Sequence, residues 1–409
     1  MAPFWKVITR EEAEQLYADI KPLESERVHI QYCLDRVLGE DIISEVDVPH
    51  FPRSNMDGYA VRAEDTYGAS ESSPITLKIV GKVDMGKVAD LSISPGEVAH
   101  IATGGMLPEG ADAMVMVEYT EAPENDRVAI KRAVAPGEHI VSIGEDIKRG
   151  QLLLKKGNRL RAQDIGVLAA VGVTEVAVHR RPRVGILSTG DEIVPPEVEP
   201  KPGQVRGTNI YTLSALTVKF GGEPIDFGIV RDEFETLKEK IAAAIQSCDI
   251  VAISGGSSVG TQDITLCVIK SFEAKGILAH GVAIRPGKPT IQALVSGKPV
   301  IGLPGHPVSA AVVYGLLVKP IIYRLTGASE NLSEQAAIRA RLSQNVPSPS
   351  GREDYVRVTL RREGDLWWAD PIFGKSGAIT TLTKADGLVK IDLELEGLEE
   401  GQWVEVKPF

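Results

Sequence analysis

Four acidic residues stand just beyond three apolar runs: Asp191 and Glu192 after 183–187, Asp232 after 224–230, and Asp263 after 249–254. Carboxylates that converge raise one another's pKa unless a cation neutralises them, and an all-oxygen ligand set suits Mg²⁺. Asp263 follows Ser254-Gly255-Gly256 and a further short polar stretch. Glycines at such a bend let the backbone approach a ligand closely, and the first N–H groups of a following helix attract an anion. A carboxylate beside an anion site makes sense if a cation bridges the two. The segment therefore reads as a phosphate or oxyanion site with a metal. The competing reading is a plain glycine-rich loop capped by Thr261 or Asp263, with the other acids as caps or solvated loop charges.

Two Pro-Gly corners follow, Arg285-Pro286-Gly287-Lys288-Pro289 and Leu303-Pro304-Gly305-His306-Pro307-Val308-Ser309. Such corners fix where the next group points. Arg285 can hold phosphate as a planar fork and Lys288 as a point charge. The alternatives are an exposed basic turn and, for the second corner, a turn into an apolar helix with Ser309 as its cap and His306 as an ordinary turn residue. Earlier in the chain, Asn55-Met56-Asp57-Gly58-Tyr59, Thr103-Gly104-Gly105 and Gly144-Glu145-Asp146 flank a domain boundary. Residues there can line a cleft, although Asp57-Gly58 is also a good turn by itself.

The elements that must carry these groups are legible in outline. Thr9 and Glu12 have capping-box spacing before Ala13, Leu16, Tyr17 and Ile20, so a helix starts there; a second short helix is expected over 30–38. Residues 75–143 alternate short apolar runs with turns, the pattern of a small antiparallel, barrel-like insert. Helical character returns at 162–171. From 183 to 254 a βαβαβ alternation implies a parallel sheet, whose ligands bind at the carboxyl ends of its strands, where the three acidic loops fall. A β-rich tail follows, with strands expected at 354–360, 366–369 and 403–406. The expected architecture is an α/β multidomain protein. Its parts are a discontinuous N-terminal unit (1–50 and 147–178), a β insert (51–146), a three-layer αβα domain (179–328) and a C-terminal β-barrel domain (329–409).

The chain has 409 residues, beyond what one core usually organises. At 43% hydrophobic and 25% charged it has a globular composition, and no run long enough to span a bilayer is expected. The first residues lack a basic region followed by an apolar core, so cytoplasm is the expected compartment. Cys33, Cys248 and Cys267 show no paired spacing, which argues against a disulfide framework or a structural zinc. A net charge of −11 argues against nucleic-acid binding through the phosphate backbone.

Taken in order, the segments 55–60, 144–146, 188–192, 254–263, 286–289 and 303–310, with Gly351-Arg352 and Gly374-Lys375-Ser376-Gly377 in the tail, resemble the molybdopterin molybdenumtransferases. This is the bacterial MoeA type, also found as the E domain of gephyrin. The resemblance implies an elongated homodimer of four-domain subunits, with the active site between the αβα domain of one subunit and the C-terminal domain of the other. It implies Mg²⁺-promoted cleavage of adenylylated molybdopterin and insertion of molybdate, giving molybdenum cofactor and AMP. Asp57, Thr103, Asp146, Glu192, Asp232 and Asp263 match the family's acidic and polar positions. Of these, Glu192, Asp232 and Asp263 are the expected metal ligands. Arg285, Lys288, Arg352 and Ser376 match its anion-binding side, and Gly104, Thr189, Gly190, Ser254, Gly255, Gly256, Pro304 and Pro307 join them as substrate-side positions. The molybdopterin adenylyltransferase and apo-molybdoenzymes are the implied partners.

Two positions depart from the pattern. Many members carry lysine four places before Arg285, where this chain has Gly281 preceded by His280, and the family turn often reads PGNP where His306 stands here. Both variants resemble archaeal and anaerobic members, some of which handle tungstate, so the choice of oxyanion stays open. Two other functions also stay open: the preceding adenylyl transfer, which uses a similar sheet domain, and a non-enzymatic dimeric scaffold for a peptide.

Overall fold

A computed structural model describes residues 7–255, 264–272, 276–328 and 336–409. Thr9 caps the helix Arg10–Gln15 as its spacing predicts, its hydroxyl accepting from the Glu12 N–H at 3.1 Å while Glu12 accepts from the Thr9 N–H at 2.8 Å. The helix expected over 30–38 is absent. Only a single 3₁₀ turn, Ile30–Tyr32, forms, because Val37 and Leu38 are drawn into bridges with Arg159 and Val178. Strand Ser25–His29 pairs with Glu175–His179, and Ile42–Ile43 with Leu152–Leu154. The segments before and after the insert therefore build one unit.

Inside the insert, six strands run in the order 113–116, 58–61, 97–101, 75–83, 127–130, 120–124. The sheet is mixed rather than antiparallel, since Ile75–Val83 pairs in parallel with Glu97–Ile101. A long excursion through 84–96 makes that crossover possible, a connection that alternation alone does not reveal.

The central domain holds β1 (Arg183–Thr189), α1 (Asn209–Lys219), β2 (Glu223–Val230), α2 (Phe234–Ser247), β3 (Ile250–Ser254), α3 (Ile264–Phe272), β4 (Ile277–His280), β5 (Ile291–Val295) and β6 (Lys298–Leu303). Leu237, Ile241, Ala244 and Ile245 recur at helical spacing along α2 and are buried, which seats it on the sheet. Every residue of β3 is buried, as expected for a strand covered on both faces. The strand order is β2-β1-β3-β6-β5-β4, parallel across the first four and antiparallel at β5 and β4. One face packs on α1 and the helical stretch 307–325, the other on α2 and α3. The direction of strand addition reverses between β1 and β3, so a cleft opens beyond their carboxyl ends.

The stretch Pro307–Leu325 overturns one expectation: it is long and apolar enough to cross a bilayer. Two thirds of it is buried inside the protein, and the sheet it covers accounts for its composition.

In the tail, strands 353–363, 366–371, 338–342, 403–408 and 387–391 pair in sequence, and the last returns to the first, closing a barrel. A short strand of the central domain, Ile284–Arg285, joins it in parallel beside Glu353–Asp354.

Candidate functional site

Three loops meet at the carboxyl edge of the parallel strands. β1 ends in Thr189, almost wholly buried, whose hydroxyl donates to Asp232 Oδ1 at 2.5 Å. The Asp232 backbone N–H in turn donates to Asp191 Oδ1 at 3.3 Å. These contacts bind the loops after β1 and β2 into one acidic ledge. Glu192 folds back over Gly190, since a Cβ placed on that glycine would lie 2.7 Å from Glu192 Oε2.

Beyond β3, Gly255 has φ +109°, and an added Cβ would stand 2.0 Å from the Thr189 carbonyl oxygen. Only glycine lets the third loop sit against the first. Its N–H donates to the Leu303 carbonyl at 3.2 Å, and its Cα is 3.6 Å from where a Cβ on Gly305 would be. The loop after β6 is thus in the same cluster.

Asn209, which sequence reasoning did not single out, holds this cluster from below. Its Nδ2 donates to Ser254 Oγ at 2.5 Å and to the Gly305 carbonyl at 2.8 Å. The sequence signal was faint: a polar residue opening an amphipathic helix reads as a cap. Pro304 is buried at the end of β6, and Pro307 occupies the first turn of the helix that follows, where a missing N–H costs nothing.

Against this corner lies the C-terminal domain of the same chain. His306 Nδ1 is 3.2 Å from Ser376 Oγ, and the Val308 N–H donates to the Ser376 carbonyl at 3.1 Å. Elsewhere on the barrel's seam with the αβα domain, Arg285 and Arg352 share a partner. Asp354, nearly buried, pairs with Arg285 Nη1 and with Arg352 Nε, each at 3.3 Å, and accepts from Ser348 Oγ at 2.8 Å. One carboxylate against two guanidiniums leaves a surplus positive charge and fixes both cations. Asp354 was also missed, because it reads as an ordinary strand residue whose partner lies 69 positions away. Lys288 is exposed on the same turn, its carbonyl accepting from the Val282 and Thr290 N–H groups. His280 ends β4, where burial and then the Lys270 charge hold its imidazole below the ordinary range.

Asp57 and Thr103 are brought together in the insert. Asp57 Oδ1 accepts from the Thr103 N–H at 2.7 Å and from its hydroxyl at 3.0 Å, and these bonds hold the carboxyl below its ordinary pKa. Gly104 has φ +82° at that turn, and Asp146 is exposed at the hinge, its N–H bonded to the Val48 carbonyl. No hydrogen bond or ion pair joins Asp57 or Asp146 to the strand-end loops among the described residues.

Gly256 and Asp263 lie outside the described residues. Among the described residues, no three His, Cys, Asp or Glu side chains converge as a metal cage. Asp191, which accepts from the Asp232 backbone N–H, and Glu192, which folds over Gly190, bring carboxylates to neighbouring loops, and carboxylate oxygen is the donor a hard cation such as Mg²⁺ prefers.

A three-layer αβα domain with its cleft at the strand ends, flanked by a β insert and a terminal barrel, defines the class. Residues 185–324 match a probable molybdopterin binding domain, 8–172 the MoeA N-terminal region (domains I and II) and 339–409 the MoeA C-terminal region (domain IV). A molybdopterin molybdenumtransferase of a Nostoc species is 36% identical over 90% of this chain and 85% of its own. A putative molybdopterin biosynthesis protein of Methanocaldococcus jannaschii is 35% identical over 93% of this chain and 91% of its own. Among solved structures, a molybdopterin biosynthesis MoeA protein of Pyrococcus horikoshii matches with a TM-score of 0.85 and 34% identity, covering 99% of this chain and 100% of that one. The chain belongs to the MoeA family of molybdopterin molybdenumtransferases.

Proposed function

We propose that this protein inserts molybdate, or tungstate, into adenylylated molybdopterin with release of AMP, as a cytoplasmic homodimer that requires Mg²⁺. The observation that carries the reading is the gathering of three strand-end loops at one edge, with the C-terminal barrel meeting the loop after β6 at His306 and Ser376. Thr189 and Asn209 fix an acidic ledge and a glycine bend, and on the barrel Asp354 pairs with Arg285 and Arg352. Such a cleft suits a ligand that carries a phosphate together with a separate oxyanion.

In this reading the backbone of the Ser254-Gly255-Gly256 bend receives the AMP phosphate, with N–H groups aimed where charge develops. Glu192, Asp232 and Asp263 would hold Mg²⁺, which when bound supplies polarisation of the phosphate oxygens. Thr189 orients Asp232 by donating to it. Arg285, Lys288, Arg352 and Ser376 receive the oxyanion, and the buried Asp354 pairs with both guanidiniums. Asp57, Thr103, Gly104 and Asp146 remain candidates for the wall contributed by the insert. Partner enzymes that supply the pterin and accept the cofactor fit the same reading.

The test is reconstitution of an apo-molybdoenzyme with adenylylated molybdopterin, Mg²⁺ and either oxyanion, with AMP release followed in parallel. Asp263→Ala should slow AMP release roughly 100-fold, the scale of losing one preorganised electrostatic group. Arg285→Ala should keep pterin binding and lose the response to oxyanion. A normal rate of AMP release in Asp263→Ala would sink the metal assignment.

A further inference from the structure

A single amide ties two of the strand-end loops to each other. Asn209 opens α1, whose Ile210 and Leu213 are buried in one core with Ile250 and Ala252 of β3 and Leu303 of β6. The start of α1 is therefore a fixed post for the loops that follow β3 and β6. From it Asn209 Nδ2 donates to Ser254 Oγ at 2.5 Å and to the Gly305 carbonyl at 2.8 Å. Ser254 ends β3 at the glycine bend, and Gly305 stands in the Pro-Gly corner just beyond β6.

The direction of the amide follows from its partners. A carbonyl only accepts, so Gly305 must face the Nδ2 end, and a flipped amide would set two oxygens against each other. Ser254 Oγ then accepts as well. At the other end, Asn209 Oδ1 is buried, and among the described residues nothing donates to it. Leaving a buried acceptor unpaired costs stability, and the side chain is only 7% exposed. Nor do its own bonds close the first turn of α1, since both go to other loops. Asparagine is also a weaker helix former than alanine or leucine. Local structure thus gives no reason for an amide at this position.

The reason lies across the fold. The bend and the corner run side by side: the Gly255 N–H donates to the Leu303 carbonyl at 3.2 Å, and a Cβ on Gly305 would stand 3.6 Å from Gly255 Cα. Asn209 bonds to both segments at once. On its other side the corner is gripped by the barrel, with His306 Nδ1 3.2 Å from Ser376 Oγ and the Val308 N–H donating to the Ser376 carbonyl at 3.1 Å. A line of contacts runs from Ser254 through Asn209 and the corner to Ser376.

We propose that Asn209 is a positioning residue for the reaction, setting the distance between the glycine bend and the Pro-Gly corner that meets Ser376. The inference rests on the reaction proposed above, which assigns the bend to the phosphate and Ser376 to the oxyanion. Asn209 acts through Ser254 and Gly305 and not on the ligand itself. Its loss leaves both halves of the site present but out of register. Rate is sensitive to such misplacement, and a shift of about 1 Å can cost roughly 100-fold.

Steady-state AMP release by the full-length protein tests it, with adenylylated molybdopterin and molybdate each varied at fixed Mg²⁺. Asn209→Ser is small, uncharged and suited to a helix start, but too short to span both partners. Asn209→Asp keeps the shape and can accept from the Ser254 hydroxyl, but loses the bond to Gly305. In both, kcat should fall roughly tenfold to 100-fold while KM for the pterin and for molybdate stays within about threefold. Thr217→Val, further along α1, is the structural control. It removes a buried hydroxyl that donates to the Leu213 carbonyl and meets the Tyr314 hydroxyl, so it should lower stability and leave kcat per folded molecule unchanged. The folded fraction from urea unfolding normalises each rate, and Asn209→Ser carries the test if the buried charge of Asn209→Asp prevents folding. Unchanged kcat in Asn209→Ser would overturn the proposal. An equal fall in Thr217→Val would do the same by revealing general loosening, and a rise in KM alone would show a binding contact and not a spacer. A wild type that releases no AMP would instead sink the underlying reaction, an outcome visible before any variant is made.

Discussion

The acidic cluster at the strand ends and the cationic cluster where the barrel takes up Ile284–Arg285 are held by opposite means. On the αβα side, carboxylates are positioned by hydroxyl and backbone donors, with Thr189 on Asp232 and the Asp232 N–H on Asp191, and no cation pairs with Asp191, Glu192 or Asp232 among the described residues. On the barrel side, cations are positioned by a buried carboxylate, Asp354. Neutral donors orient an acid without neutralising it, whereas an ion pair orients a cation and offsets much of its charge. The first cluster therefore keeps its full appetite for a cation, while the second keeps a measured surplus for an anion.

Breaking the contact that builds the acidic cluster should have the largest effect. Gly255→Ala forces a side chain into positive φ and onto the Thr189 carbonyl. Strain of this kind costs about 1–3 kcal/mol and steric overlap about as much again, so urea unfolding should register a loss of roughly 3 kcal/mol or more. A variant as stable as the wild type would mean that the loop is free of β1. Next comes Asp354→Asn in the cationic cluster. Removing one partner of a buried pair usually costs about 3–5 kcal/mol; here about 2 kcal/mol is expected because Arg285 is more than half exposed. The same variant should weaken the oxyanion response while leaving pterin binding unchanged, as seen by titration.

Thr189→Val probes the acidic cluster more gently. It removes a hydroxyl bond to a charged but exposed group, and about 1 kcal/mol of stability should go with it. A larger fall in AMP release than in stability would separate orientation of Asp232 from packing. The smallest effect concerns the insert. The Thr103 N–H, then its hydroxyl, lower the Asp57 pKa below the ordinary value near 3.9. A depressed carboxylate contributes stability above its unfolded pKa and loses it as pH falls through the folded one, so the window lies below about pH 4. Thr103→Val keeps the backbone donor and removes the hydroxyl, and NMR titration of Asp57 should show a partial rise towards the ordinary value.

Much of the fold was readable because its signals are local. Capping at Thr9, helical spacing along α2 and the apolar run of β3 each depend on residues close in sequence, and they fall where expected. The helix expected over 30–38 fails for a non-local reason, since long-range bridges claim Val37 and Leu38. The insert's parallel pairing is equally invisible to alternation. At the site, strand-end placement brought Asp191, Glu192 and Asp232 into view, as did the glycine bend and the second Pro-Gly corner. Asn209 and Asp354 stayed hidden: Asn209 acts through partners 45 and 96 residues away and Asp354 reaches Arg285 across 69, and each wears the dress of a common local role, a helix start and a strand residue. Asp263 and Gly256, central to the sequence argument, fall outside the described residues.

Ile284–Arg285 is a strand that the αβα domain lends to the barrel. Arg285 is thereby joined mechanically to the tail even though its chain belongs to the sheet domain. A tilt of the barrel carries the guanidinium with it, so Arg285 follows the barrel rather than the sheet domain that encodes it. A chain ending before the barrel would not simply lack a domain. It would keep Arg285 in sequence but lose the backbone ladder and the carboxylate that give it a direction.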